Sequence, residues 1–204
     1  MQTRYMPTRF IYSIILFMLF TSCHQTLSEM VNHADALNNE KNYGEAIKVC
    51  TDVIAKNDKI ESAYYTRCQS YVALKNYPKA LNDINKVIEV QPESQPGLSV
   101  TLIMNKDLPG ASEEDKGHID YFVALYLRAQ VEYFMDSAKS SYYDFQSCID
   151  NYYQASNCLL WQGTIFMRQS NKDAACKKFN KAREIARSDD DINEADRMLK
   201  LYCK

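Results

Sequence analysis

Two kinds of apolar pattern run along this chain. The first is an unbroken stretch, Phe10-Ile11-Tyr12-Ser13-Ile14-Ile15-Leu16-Phe17-Met18-Leu19-Phe20, without a single charge. The second is a recurrence. Tyr43-Gly44-Glu45-Ala46-Ile47 returns 34 residues later as Tyr77-Pro78-Lys79-Ala80-Leu81. At the same offset Val53-Ile54 returns as Val87-Ile88, and Leu37 as Tyr71. Further on, Ala129 matches Gly163, Ser141 matches Ala175, Phe145 matches Phe179 and Cys148 matches Ala182, again 34 apart. The two pairs are out of phase by 27 residues, because Ala80 to Ser141 spans 61. The pattern therefore predicts four units, near 27–60, 61–94, 122–155 and 156–189, with an insertion at 95–121. Past the last unit, Ser188-Asp189-Asp190-Asp191 is a helix-start signal with acidic groups at the positive end of the helix dipole. Ile192, Ala195, Met198, Leu199 and Tyr202 follow at helical spacing, so a helix is expected over 190–204.

A 34-residue period is that of the tetratricopeptide repeat, and the residue types resemble that family. Two antiparallel helices that cross closely need small residues where their backbones approach. Ala34, Cys68, Ala129 and Gly163 meet that need in the first helices, and Ala46, Ala80, Ser141 and Ala175 in the second. Larger residues fill the space at Leu37, Tyr71 and Phe166, and at Ile84, Phe145 and Phe179. Pro92 stands where the family closes a second helix. The third unit departs most from the family, with Glu132 at a site for a large residue and Ser141 for Ala. The resemblance implies an all-α solenoid of about four antiparallel helix pairs. Such a stack leaves an apolar face on its last unit, and 190–204 is its expected capping helix. In the insertion, Pro96-Gly97 and Pro109-Gly110 form turns around an apolar stretch, Leu98 to Met104, that could form a short helix. Ser112-Glu113-Glu114-Asp115 looks like an N-cap, which would let the third unit begin early and run towards Met135. The insertion is either a functional edge or an inert spacer.

The first 22 residues read as a signal peptide: Arg4 and Arg9, then the apolar run, then Thr21 and Ser22. The run is shorter than the roughly 20 residues that cross a bilayer, so a retained anchor is the weaker reading. Leu19-Phe20-Thr21-Ser22-Cys23 resembles the lipobox of bacterial lipoproteins, in the looser form found in Bacteroidetes. That resemblance implies a Cys23 acylated through its sulfur as the first mature residue, followed by a short linker over 23–26. His24 is not the Asp that holds enterobacterial lipoproteins in the inner membrane, which leans towards an outer-membrane anchor facing the periplasm. Plain secretion with an incidental Cys is the alternative.

Composition narrows the function. Only 5 Gly and 5 Pro leave little room for the turns of an all-β fold. Removing Arg4 and Arg9 lowers Lys+Arg from 24 to 22 against 26 Asp+Glu, a mildly acidic body without the basic stripe that nucleic acid demands. His24, His33 and His118 lie far apart, and no metal spacing, phosphate loop or nucleophile elbow is present, so neither cofactor nor catalysis is expected. What remains is surface. In the family, exposed positions of the first helices line a concave groove that holds the ligand. Carried over, these are Val31, Asp35 and Asn38, then Tyr65, Gln69 and Val72, then Tyr126, Gln130 and Tyr133, and finally Leu160, Thr164 and Met167. Tyr combines large contact area with few rotatable bonds, which suits binding, although such rings also pack between units. The Lys and Arg residues of a carboxylate clamp are missing. The expected role is a protein- or peptide-binding scaffold, with a small-molecule, glycan or peptidoglycan-fragment binder as the alternative.

Six cysteines remain after Cys23, and export places them in an oxidising setting. In the helical-repeat arrangement, Cys50 and Cys68, Cys148 and Cys158, and Cys176 and Cys203 sit at matching heights across inter-unit interfaces. These three pairs are the candidate disulfides. Cys68 and Cys148 also occupy sites that only require a small buried residue.

Overall fold

A computed structural model describes residues 25–90 and 118–203. The expected export segment, Cys23, Pro92 and most of the insertion lie outside the described residues. Among the described residues the fold is all-α: α1 (Leu27–Asn39), α2 (Tyr43–Lys56), α3 (Glu61–Ala73), α4 (Tyr77–Val90), α5 (Tyr121–Phe134), α6 (Ala138–Asp150), α7 (Ala155–Arg168), α8 (Lys172–Ile185) and α9 (Asp189–Tyr202). Sequential helices pack as antiparallel pairs, α1 with α2 through α7 with α8, and α9 closes the stack on α8 and α7.

Local chemistry sets the ends of these helices. Thr26 and Glu29 form a reciprocal capping box at the start of α1. The four turns inside the pairs share one geometry. Lys41, Lys75, Asp136 and Ser170 hold positive φ, and each lies between a helix C-cap and the next N-cap. The following amide reaches back to close the helix end: Asn42 to Leu37, Asn76 to Tyr71, Ser137 to Glu132 and Asn171 to Phe166, at 2.8–2.9 Å. This is the left-handed C-terminal closure that most helices assign to Gly, made here four times without it. The early start expected for α5 at Ser112 is corrected. Residues 118–120 are non-helical, and Asp120 Oδ1 accepts the amides of Phe122 (2.9 Å) and Val123 (3.3 Å), so the helix begins at Tyr121.

The core follows the small-residue pattern. Ala34, Cys68, Ala129 and Gly163 are buried in the first helices, and Ala46, Ala80, Ser141 and Ala175 in the second. A Cβ added to Gly163 would overlap the Phe179 ring, so the closest crossing requires Gly. Ser141 is accommodated in place of Ala because its hydroxyl donates to the Ala129 carbonyl at 2.8 Å. One apolar cluster joins Ile84 and Val87 of α4 to Ala124, Leu127 and Val131 of α5, so the second and third units pack directly on each other. Glu132 marks the departure of the third unit from the repeat pattern. Its carboxyl is half-buried, and Oε2 has no hydrogen-bond partner among the described residues. Burial, reinforced by the Asp144 charge, raises its pKa above the usual carboxylate value.

A polar ladder crosses every junction between units. Arg67 grips Asp83 with two bonds of 2.8 Å and donates a third to Thr51 at 3.0 Å, tying α2, α3 and α4. Arg128 does the same to Asp144 (2.6 and 2.9 Å) and Asn85 (3.4 Å), tying α4, α5 and α6. Gln162 donates to Gln146 (3.2 Å) and accepts from Lys178 (2.7 Å), tying α6, α7 and α8. These trios recur at the offsets of the units themselves, 34 and 61. A paired polar group buried at one position of an apolar interface fixes register, since any slip strands it.

Candidate functional site

First helices of neighbouring units touch along the inner face, and α1 and α3 leave a cleft of about 430 Å³ between them. Its walls carry hydroxyl, amide and carboxylate groups, among them Asn32, Asp35, Asn38 and Asn39 from α1, and Ser62, Tyr65 and Gln69 from α3. His118 and Ile119, which precede α5, close one end. The α1 residues share a face because 32, 35 and 39 recur at helical spacing.

Several of these groups are held in place from behind. Asp35 Oδ1 accepts the Thr66 hydroxyl at 2.6 Å. Asn38 donates to the Thr66 carbonyl (3.1 Å) and accepts from Ser70 (2.6 Å). Glu61, buried at the start of α3, accepts the Ile119 amide and faces His118 Nδ1, both at 3.0 Å. Burial, the Cys68 thiol and the Asp35 charge raise the Tyr65 pKa, so its hydroxyl stays neutral and remains both donor and acceptor. Of the residues expected in the groove, Asp35, Asn38, Tyr65 and Gln69 meet in this cleft. Val31 borders it but is only 4% exposed and belongs to the core.

The α5–α7 half of the inner face is closed by its own rings. The Tyr126 hydroxyl accepts from Trp161 Nε1 at 3.3 Å, and its ring meets Phe145 and Tyr153 edge-on at 5.9 and 6.1 Å. Tyr133 packs edge-on against Trp161 at 5.1 Å, under the Arg168 guanidinium at 3.6 Å. The Thr164 hydroxyl is turned into its own helix, donating to the Trp161 carbonyl at 2.7 Å. Met167 packs on the cluster around Phe179, Leu160 is 7% exposed within it, and Val72 lies half-buried against the α3–α5 core. Gln130 is half-buried beside the Tyr126 hydroxyl. The structure thus does not bring Tyr126, Gln130, Tyr133, Thr164 and Met167 together with the cleft residues. Asn32, Asn39, Ser62 and His118, not among the residues expected in the groove, do join it. For Asn32 and Asn39 the signal was there, in their spacing from Asp35.

Cys176 and Cys203 form a disulfide that staples the start of α8 to the end of α9, with Cα atoms 5.7 Å apart. The other two expected bridges are not present, and Cys50, Cys68, Cys148 and Cys158 are free thiols. Helix rotation explains the first pair. Cys50 faces Ala34, Leu37 and Ala46 inside the first unit, whereas Cys68 faces Ala80 and Ile84 of the second. Cys148 and Cys158 do share a cluster and interact with each other, yet both are free, and their thiols also donate to the carbonyls of Phe122 (3.8 Å) and Tyr153 (3.6 Å). Burial pushes the Cys50 pKa up to about 12 and raises that of Cys68, while the interaction with Cys148, followed by burial, raises that of Cys158, which suits small core residues rather than nucleophiles. Among the described residues no group of three or more His, Cys, Asp and Glu could hold a metal ion, and no helix is long and apolar enough to cross a membrane.

No protein-family model matches the chain, and no curated protein matches it. Solved structures do. MamA from Desulfovibrio magneticus RS-1, residue 41 to its end, superposes with a TM-score of 0.60 at 18% identity, over 81% of this chain and 78% of that one. A second MamA structure gives 0.58 at 11% identity, over 78% and 72%. A tetratricopeptide repeat protein from Parabacteroides merdae ATCC 43184 aligns over 96% of this chain and 78% of its own at 20% identity, with a TM-score of 0.42. At these identities the likeness concerns the fold, and the fold argument rests on the first two. With its four helix pairs, buried small residues at the 34-residue offset and capping helix, the chain has the tetratricopeptide-repeat fold and is similar in structure to MamA.

Proposed function

We propose that the protein is a non-enzymatic, lipid-anchored scaffold at the periplasmic face of a bacterial outer membrane, which holds an extended segment of a partner protein between α1 and α3. The observation that carries this reading is the cleft itself. It lies on the helices that line the groove in this fold, and amides and hydroxyls on both walls can pair with the donors and acceptors of a peptide backbone. Asp35 and Asn38 are fixed by bonds to Thr66 and Ser70, so little side-chain freedom is lost on binding. The anchor rests on the order of charged, apolar and small residues that ends at Cys23.

Two experiments test the reading. Cell fractionation of a Cys23→Ser variant should move the protein from membranes to the soluble envelope fraction, and a wild type already soluble there would remove the anchor. Replacing Tyr65 and Gln69 together by Ala should abolish capture of the partner at unchanged helical content. Retained capture would move the site off the α1–α3 cleft. A small-molecule or glycan ligand is the second reading, supported by a cleft volume within the roughly 300–1,000 Å³ of ligand pockets. Competition of partner capture by peptidoglycan fragments would favour it.

A further inference from the structure

The charge in the α1–α3 cleft is one-sided. Among the described lining residues there is no Lys or Arg, and Asp35, on the exposed face of α1, is the carboxylate. Asp35 Oδ1 is occupied by the Thr66 hydroxyl at 2.6 Å, which orients the group, while Oδ2 has no hydrogen-bond partner among the described residues. The side chains around it are neutral amides and hydroxyls: Asn32 and Asn39 on the same helix, Tyr65 and Gln69 opposite. On the far wall His118 is engaged by Glu61. An oriented carboxylate with one free oxygen, at the mouth of a neutral polar cleft, is complementary to an ammonium or guanidinium group. The Tyr65 ring beside it offers an aromatic surface for the alkyl stem of such a side chain. The other half of the inner face lacks this arrangement, because its exposed cation, Arg168, already pairs with Asp136 and lies over Tyr133.

We propose that the α1–α3 cleft selects peptide segments carrying a lysine or arginine, with Asp35 as the ion-pairing residue. This rests on the peptide-binding reading of the same cleft and adds the charge class of its ligand. An acidic or C-terminal carboxylate motif is thereby disfavoured, since it would meet Asp35 with no Lys or Arg among the described lining residues to offset the repulsion.

The test uses the full chain in detergent and a fixed-position library of short peptides capped at both ends, read by fluorescence polarisation. At one position Lys or Arg should bind about tenfold tighter than norleucine, the effect expected of one charge-assisted bond. Raising the salt concentration should narrow that preference. Asp35→Asn, whose amide oxygen can still accept the Thr66 hydroxyl, should bring Lys and norleucine to near parity while leaving neutral peptides bound. Asn32→Lys, on the exposed face of α1 one turn from Asp35, should weaken the preference by offsetting the Asp35 charge. If wild type binds peptides without regard to charge, and Tyr65→Ala with Gln69→Ala abolishes that binding, the peptide-binding reading stands and the basic preference is overturned. A preference that survives Asp35→Asn with unchanged circular dichroism also overturns it. Failure to bind any peptide of the library overturns both.

Discussion

Removing one carboxylate from the polar ladder should loosen the second unit of the stack. Asp83 is 2% exposed at its side chain and Arg67 14%, and two 2.8 Å bonds join them. Asp83→Ala leaves the guanidinium with only the Thr51 hydroxyl and the edge of the Tyr64 ring, 5.6 Å from its centre. Breaking a buried pair from one side costs about 3–5 kcal/mol, and the partial exposure of Arg67 places this case at about 3. Against a total stability of about 5–15 kcal/mol, that is a large fraction. Replacing both partners by apolar residues of similar size, Arg67→Met with Asp83→Leu, removes the stranded charge and should return to within about 1 kcal/mol of wild type. Glu45→Ala breaks a pair whose side chains are 69% and 47% exposed, and should cost less than about 0.5 kcal/mol. Urea unfolding followed by far-ultraviolet circular dichroism measures all three variants. The reasoning is refuted if Asp83→Ala costs no more than Glu45→Ala, or if the double variant is no more stable than the single one.

Gly163→Ala should destabilise by about 1–3 kcal/mol, because the Phe179 ring must move to admit the methyl group; a neutral result in the same urea assay would mean the crossing is looser than described. Cys203→Ser opens a loop of sequence separation 27 and should lower stability by about 3 kcal/mol, with α9 the first element to exchange amide hydrogens. Glu132→Gln should stabilise the protein at neutral pH. The folded protein holds the Glu132 carboxyl above its ordinary value of 4.5, so protonation favours the fold and wild-type stability falls as pH rises through the folded value. The gap between variant and wild type should close towards acid pH, and a gap independent of pH would show that Glu132 is not desolvated.

The repeat was legible because its signal is redundant. Ala34, Cys68, Ala129 and Gly163 each report the same close crossing, and the 34-residue offset joins them within each half of the chain. The capping helix was equally plain, since Ser188 caps α9 and Ala195 and Met198 are buried on α8 as their spacing requires. The groove was half legible. Helix phase identified which residues of α1 and α3 face inward, but Tyr126 and Tyr133 share that phase and are closed off by Trp161, a residue one unit further on that a position-by-position carry-over did not weigh. The cysteine pairs show the same division. Height along a helix follows from the number of residues, whereas the direction of a sulfur depends on helix rotation. Hence Cys176 and Cys203 meet, while Cys50 and Cys68 turn into different cores. The polar ladder was present at the offsets of 34 and 61 residues, but its members change type from Arg–Asp to Gln–Lys, so identity matching passes over it.

The central claim is that a partner segment lies between α1 and α3. Its most direct test is a photo-activatable residue placed in turn at Asn32, at Gln69 and, as a control on the exposed face of α8, at Lys181, in cells producing the full chain. The account predicts that Asn32 and Gln69 cross-link to one and the same stretch of one partner, identified by mass spectrometry, and that Lys181 does not. Absence of cross-links from both cleft positions, or the same partner captured equally from Lys181, would contradict it.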